Sequence, residues 1–244
     1  MEKIRLNKYL AQTQNCSRRQ ADALIARGTV SVNGRPAELG ELVSEEDQIE
    51  VGGKKAAQEK RPTFYYAFHK PFGVITTMDP EAPDSIREFV EKLNLPVRIF
   101  PIGRLDVESS GLLLFTNDGG FTHRLTHAKF GFEKEYTVDT TTDIDDDALE
   151  TMRHGMDIGD ALTRAARVER LGTAKFRIII KEGRNRQIRR MCETLGYEVK
   201  KLLRVRVGSV ELGTLRPREW RRLTEKELEG FEEKKESFER KTCR

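Results

Sequence analysis

Cysteine is scarce in this chain: Cys16, Cys192 and Cys243 are the only three in 244 residues, far apart and in no Cys-x-x-Cys pair. A disulfide framework is excluded, a zinc-ribbon spacing is missing, and a reducing, cytoplasmic setting is expected. Long apolar runs are also missing. The N-terminus lacks the apolar core of a signal peptide, and no stretch is long enough to span a bilayer. There is no glycine-rich phosphate-binding loop. His123 and His127 have the spacing of ligands on one helix face, but no third ligand accompanies them, so they read as surface residues. Neither a metal nor a cofactor is expected, and no internal repeat is present. Large net charge is lacking as well: 44 basic residues against 40 acidic ones leave only +4. The average conceals an uneven distribution, with acids concentrated in 139–150 and the tail and Arg and Lys dominating 181–222.

What the chain does have is two patterned regions. In residues 4–51, Ile4, Leu6, Tyr9 and Leu10 give a short helical face. Ser17 and Gln20 form a capping box for a second helix, which buries Ala21, Leu24 and Ile25 and stops at Gly28. Val30-Ser31-Val32, Asn33-Gly34 and Ile49-Glu50-Val51 then predict a small hairpin-based sheet. The polar stretch 53–63 reads as a linker between a 1–52 domain and a 64–231 domain, with a charged tail over 232–244.

In the larger region, strands are predicted at Tyr65–His69, Gly73–Thr76, Leu112–Thr116, Tyr136–Val138, Phe176–Ile180, Glu198–Leu203, Gly208–Val210 and Glu219–Leu223. Helices are predicted at Ser85–Leu93, Phe121–Leu125, Asp145–His154 and Arg186–Leu195, and Thr224 to Glu227 is a further capping box. Strands follow one another without steady βαβ alternation. The fold class is therefore α+β, with a mostly antiparallel mixed sheet.

Several segments have chemical character. Ser17-Arg18-Arg19 puts two guanidinium groups in the first turn of a helix, where free N–H groups favour phosphate, and Arg5 and Lys8 extend that patch. Isolated, such residues are ordinary solvated charges. The runs Arg5-Leu6-Asn7-Lys8-Tyr9-Leu10, Cys16-Ser17-Arg18-Arg19-Gln20-Ala21, Leu24-Ile25-Ala26-Arg27-Gly28 and Val30-Ser31-Val32-Asn33-Gly34 together resemble the alpha-L RNA-binding domain first described in small-subunit ribosomal protein number four. That resemblance implies recognition of structured RNA and no catalysis.

Asp106, in Ile102-Gly103-Arg104-Leu105-Asp106 before the apolar run from Gly111 to Thr116, sits on a loop between two apolar strands. Alone it would read as a turn residue, as Asp118 does in Asn117-Asp118-Gly119. Its segment, with His69-Lys70-Pro71-Phe72-Gly73-Val74, Glu133-Lys134-Glu135-Tyr136 and Glu182-Gly183-Arg184-Asn185-Arg186-Gln187-Ile188-Arg189-Arg190-Met191, resembles the bacterial ribosomal RNA pseudouridine synthases. The resemblance implies the pseudouridine synthase fold, an isomerisation of uridine in ribosomal RNA and Asp106 as catalytic carboxylate. It also implies Arg189 as the cation paired with Asp106, and Tyr136 as the residue that stacks on the uracil. A basic partner keeps a carboxylate ionised. Without the resemblance, Tyr136 is a half-buried strand tyrosine. Arg104 matches a position that fills the space left by an extruded base, and it reads equally as a phosphate contact.

Lys181, Arg184, Arg186, Arg189, Arg190, Lys200, Lys201, Arg204 and Arg206 crowd one short stretch; Arg184, Arg186, Arg190, Lys200 and Lys201 are read as RNA contacts. Asn185-to-Glu193 and Gly196-to-Leu202 look closest to large-subunit modifiers. Small-subunit ribosomal RNA or transfer RNA remains an alternative target, and a non-catalytic ribosome-assembly factor an alternative role. Nothing in the sequence demands more than a monomer.

Overall fold

The computed structural model describes residues 3–56 and 62–232. They divide into two compact units, one within Met1–Pro62 and Leu95–Arg98, the other within Thr63–Asn94 and Ile99–Arg244. Among the described residues, no helix is long and apolar enough to cross a membrane.

The first unit runs β1 (Ile4–Arg5), α1 (Leu6–Thr13), α2 (Arg18–Ala26), β2 (Val30–Val32), β3 (Arg35–Pro36), β4 (Leu42–Val43), β5 (Ile49–Val51) and β6 (Lys54–Lys55). The capping box of α2 forms as the sequence predicts, Gln20 N–H donating to Ser17 Oγ at 3.2 Å and Ser17 N–H to Gln20 Oε1 at 2.8 Å. Asn33 (φ 51°) and Gly34 (φ 79°) turn the β2–β3 hairpin with both residues left-handed, which suits the twist of two paired strands. Leu6, Leu10, Ala21, Ile25, Val30, Val32, Val43 and Ile49 close a single small core. Ala56 joins that core and Lys54–Lys55 pairs with β5, so the first part of the expected linker belongs to this unit. Gly52 and Gly53, both at positive φ, make the turn that brings it back. The middle of that linker and nearly all of the charged tail lie outside the described residues.

The second unit contains β7 (Tyr65–Lys70), α3 (Ile86–Glu91), β8 (Phe100–Ile102), β9 (Ser109–Thr116), α4 (Gly119–Thr126), β10 (Lys134–Thr140) and α5 (Asp146–His154). It continues with β11 (Arg167–Gly172), β12 (Lys175–Ile180), α6 (Gln187–Thr194), β13 (Val199–Val207), β14 (Val210–Glu211) and β15 (Trp220–Arg222). Nine strands form one sheet in the order β11-β12-β10-β13-β9-β7-β15, with β14 beside β13 and β8 beside β9. Every ladder is antiparallel except β9–β13, which joins the two halves. The fold is thus α+β on a mostly antiparallel mixed sheet.

Some expectations fail. Gly73–Thr76 is no strand: Gly73 (φ 82°) turns, and Ile75 makes only one isolated bridge, to Ser85. Arg167–Gly172 is a strand that the sequence analysis passes over, its apolar positions being sparse. β13 runs four residues beyond the predicted end at Leu203, and Gly208 (φ 57°) is a turn rather than the start of β14. Asp118 is the N-cap of α4, accepting from the N–H groups of Gly120 and Phe121, as its turn-like setting implies.

Candidate active site

One row of the sheet builds the floor of the site. In register across four strands stand Tyr136 on β10, Arg204 on β13, Gly111 on β9 and Lys70 on β7. Residues directly opposite in a ladder share a face. The row therefore gathers an aromatic ring and two cations on one side, with a gap at Gly111 where β9 and β13 approach most closely.

That gap needs glycine. Gly111 has φ 108°, and a Cβ there would lie 2.3 Å from the Arg204 carbonyl oxygen. The β9–β13 contact is too close for any side chain.

Above the row lies the loop from Gly103 to Glu108, carrying Asp106. Leu105 anchors it in the core, and the Thr76 hydroxyl bonds both the Leu105 N–H and its carbonyl. Three buried cations grip the loop and the start of β9 by their carbonyls. Arg204 donates to the Arg104 carbonyl at 3.5 Å, Arg189 to the Glu108 carbonyl at 2.8 Å, and Lys70 to the Ser109 carbonyl at 2.8 Å. All three side chains are buried, Lys70 completely. A buried cation is costly unless hydrogen-bonded, so these carbonyl bonds stabilise the cations and fix the loop together.

The Asp106 carboxylate itself takes no hydrogen bond and no ion pair from any described residue. It is half-buried and opens into a cavity of about 530 Å³, within the range of small-ligand sites. Tyr136, Arg204, Ser109, Leu202 and Ile188 line the same cavity. Lys70 and Arg186 lie close enough to feel the Asp106 charge. An unbonded carboxylate in a field of fixed cations stays available for an incoming ligand.

The sequence-derived residues separate here. Asp106 and Tyr136 both line the cavity, as do Arg104, Arg184 and Arg186. Arg189 does not pair with Asp106. Its guanidinium bonds the carbonyls of Val199 and Glu108 and lies 3.5 Å from the Glu108 carboxylate. Arg186 reaches the same carboxylate at 2.7 Å, and this bond, with Arg189 nearby, holds the Glu108 carboxyl below its usual range. Arg186 does so from a left-handed backbone (φ 48°) at the start of α6, a strained position that its side-chain bonds hold in place.

Other cations of the basic stretch are neutralised by acids distant in sequence. Arg190 bonds the Asp160 carboxylate and the Ile158 carbonyl, while Arg206 pairs with Glu133 at 3.2 Å and Glu135 at 2.8 Å. Arg104, Lys200 and Lys201 remain exposed with no ion pair among the described residues, and Arg184 is exposed, 3.5 Å from the Glu182 carboxylate and donating to the Leu162 carbonyl at 3.4 Å. In the N-terminal unit Arg18 and Arg19 are exposed, Lys8 is half-exposed, and Arg5 donates to the Gly40 carbonyl.

From sequence, Lys70 and Ser109 carry no role of their own, and Arg204 is one cation of the basic run. Lys70 was legible as part of an island around Pro71, but its burial was not. The Ser109 hydroxyl is buried at the cavity wall without a partner among the described residues. Glu182 and Gln187 bond each other at 2.8 Å beneath the 183–186 loop and fix it against the Arg164 N–H.

Comparison with known proteins decides what this arrangement is. Residues 64–194 match the family model described as RNA pseudouridylate synthase, and residues 4–49 match the S4 domain. The chain belongs to the RNA pseudouridine synthase family. The dual-specificity RNA pseudouridine synthase RluF of Escherichia coli is 40% identical over 226 residues, covering 92% of this chain and 77% of that protein. The ribosomal large subunit pseudouridine synthase B of Bacillus subtilis is 38% identical over 232 residues, covering 92% and 93%. A solved structure described as a pseudouridylate synthase superposes with a TM-score of 0.68 at 29% identity, covering 93% of this chain and 99% of the other.

For this synthase the buried Lys70 has a measurable consequence. Burial pulls its pKa from 10.5 down to about 8, against the opposing pull of Asp106. Lys70 thus carries its proton below pH 8 and loses it as pH rises through that value, removing a positive charge from beside Asp106. We expect kcat/KM to fall above about pH 8, and that alkaline limb to disappear from the pH profile of Lys70→Met.

Proposed function

We propose that this enzyme converts uridine to pseudouridine in large-subunit ribosomal RNA, acting through the Asp106 cavity. The observation that carries the reading is an unbonded carboxylate beside Tyr136 in a cavity ringed by fixed cations. The isomerisation breaks the bond from ribose C1′ to base N1 and forms one from C1′ to C5. C5 gives up a proton and N1 gains one, so no redox partner is needed.

In this reading Asp106 serves as nucleophile or base, and Tyr136 stacks on the uracil. Arg204 and Lys70 supply positive charge beside the cavity, whereas Arg189 is a positioning residue that sets the loop through Glu108. A uridine within folded RNA has to leave its stack to reach the cavity, at a cost of a few kcal/mol. Arg104, exposed at the mouth, is placed either to fill the vacated space or to hold a flanking phosphate. Arg5, Lys8, Arg18 and Arg19 on the N-terminal unit, with Arg184, Lys200 and Lys201, contact the RNA backbone. Arg186 and Arg190 are weaker candidates, their charges being engaged by Glu108 and Asp160.

Large-subunit RNA is favoured by the Bacillus subtilis relative, whose name specifies that subunit. The dual specificity named for RluF favours a second RNA target, for which transfer RNA is the sequence-based expectation.

The test uses ribosomal RNA from cells lacking the enzyme, with pseudouridine mapped by chemical adduct and primer-extension stops. A new stop in large-subunit RNA supports the reading, and its position names the target. No new stop in any ribosomal RNA overturns it. Binding should also be strongly salt-dependent, losing about two orders of magnitude in affinity between 50 and 200 mM salt if about five phosphates are neutralised. An affinity unchanged over that range would contradict the assigned cations.

A further inference from the structure

The apolar exterior near the site is concentrated on two loops. Phe72 is 68% exposed, Ile75 40% and Val107 43%. Phe72 follows Lys70-Pro71 at the end of β7, while Val107 immediately follows Asp106. The Gly73 N–H donates to the Val107 carbonyl at 2.9 Å, and Thr76 Oγ1 bonds Leu105 on both backbone groups. The turn that presents Phe72 is therefore tied to the loop that presents Asp106, and neither side chain contributes to the core.

An exposed phenyl ring flanked by apolar residues, on a turn bonded to a loop that carries Arg104, fits a flat apolar ligand attached to phosphate. Arg104 on the same catalytic loop supplies an unpaired cation for that phosphate. An RNA nucleotide has both features. When a uridine leaves its stack, its neighbours lose a stacking surface, and an aromatic ring on a turn tied to the Asp106 loop can replace it.

We propose that Phe72 is a stacking platform for a nucleobase flanking the target uridine, with Val107 and Ile75 extending the apolar surface. This rests on the reading of the Asp106 cavity as the uridine site. Phe72 touches neither the reacting base nor Asp106; it fixes the register of the RNA.

The test uses a hairpin RNA excised around the uridine identified by mapping, together with versions in which each flanking nucleotide is abasic. Phe72→Ala is expected to weaken binding to the intact hairpin about tenfold, and Phe72→Trp to retain it. One abasic hairpin should weaken the wild type by a similar factor and Phe72→Ala by nothing further. The tryptophan introduced in Phe72→Trp should be quenched by the intact hairpin and not by that abasic one.

Equal affinity of wild type and Phe72→Ala, or a loss in Phe72→Ala that persists unchanged on every abasic hairpin, overturns the platform. Conversion of uridine by the wild type is measured alongside. Conversion with no Phe72 effect removes only this inference, whereas absence of conversion removes the underlying reading of the cavity. Thermal unfolding of Phe72→Ala at the wild-type midpoint is also expected, since the ring is outside the core.

Discussion

Asp106→Asn is expected to lower the single-turnover rate of pseudouridine formation by about 10⁴-fold while the protein still folds and binds RNA. Asparagine has nearly the shape of aspartate, so the cavity persists. Because the Asp106 carboxylate accepts no hydrogen bond from any described residue, its replacement breaks none of those bonds, and stability should change by less than about 1 kcal/mol. RNA affinity should be kept or slightly increased, since one negative charge leaves a cationic site. The combination separates chemistry from binding. Rate measurement in enzyme excess, paired with filter binding on the same RNA, checks both halves. A loss of rate matched by an equal loss of affinity would mean that Asp106 serves the RNA surface instead.

The second large effect concerns folding. Gly111→Ala should destabilise the second unit by about 3 kcal/mol or more, from two causes acting together. The residue would be forced to keep φ 108°, and its Cβ would meet the Arg204 carbonyl at 2.3 Å. Relief requires β9 and β13 to separate at their only parallel ladder. That movement displaces Arg204 from the Leu112 carbonyl, which it bonds at 2.7 Å, and loosens its hold on the Arg104 carbonyl. Activity should fall together with stability. Gly119→Ala is the control: it begins α4, and its Cβ would meet nothing within 4 Å. Urea unfolding of the two variants should place Gly111→Ala far below wild type and Gly119→Ala at or above it.

Much of this architecture was legible in the sequence because the signals are local. The Ser17–Gln20 capping box, the Asn33-Gly34 turn and the Asp145 start of α5 each depend on a few adjacent residues. What escaped was set by partners far along the chain. Arg204 and Arg206 belong to the same basic run and look alike in sequence. In the fold Arg204 is buried against Leu112 and Arg104, while Arg206 is paired with Glu133 and Glu135. Arg189 likewise reads as a neighbour of Asp106, yet its partner is Glu108, two residues further on. The family resemblance indicates which loops meet, but not which atom of a loop a guanidinium chooses.

The burial of Lys70 is the clearest case. A lysine between His69 and Pro71 gives no sign that it will be fully enclosed. In the fold its strand lies between β15 and β9, and its ammonium donates to the Pro71 carbonyl at 2.9 Å and the Ser109 carbonyl at 2.8 Å. Those partners lie in other parts of the chain or on its own backbone, where residue type gives no signal. Gly111, opposite Lys70 in register, is needed for a different reason: the close approach of the Arg204 backbone.

The most direct test of the account follows the hydrogen that the isomerisation must release. Ribosomal RNA transcribed with uridine tritiated at C5 is incubated with wild type and with Asp106→Asn, and tritium entering water is counted against pseudouridine formed. The Asp106 account predicts one tritium released per pseudouridine by wild type and background release by Asp106→Asn on RNA that it still binds. Release by both proteins at equal rates, or by neither, would contradict it.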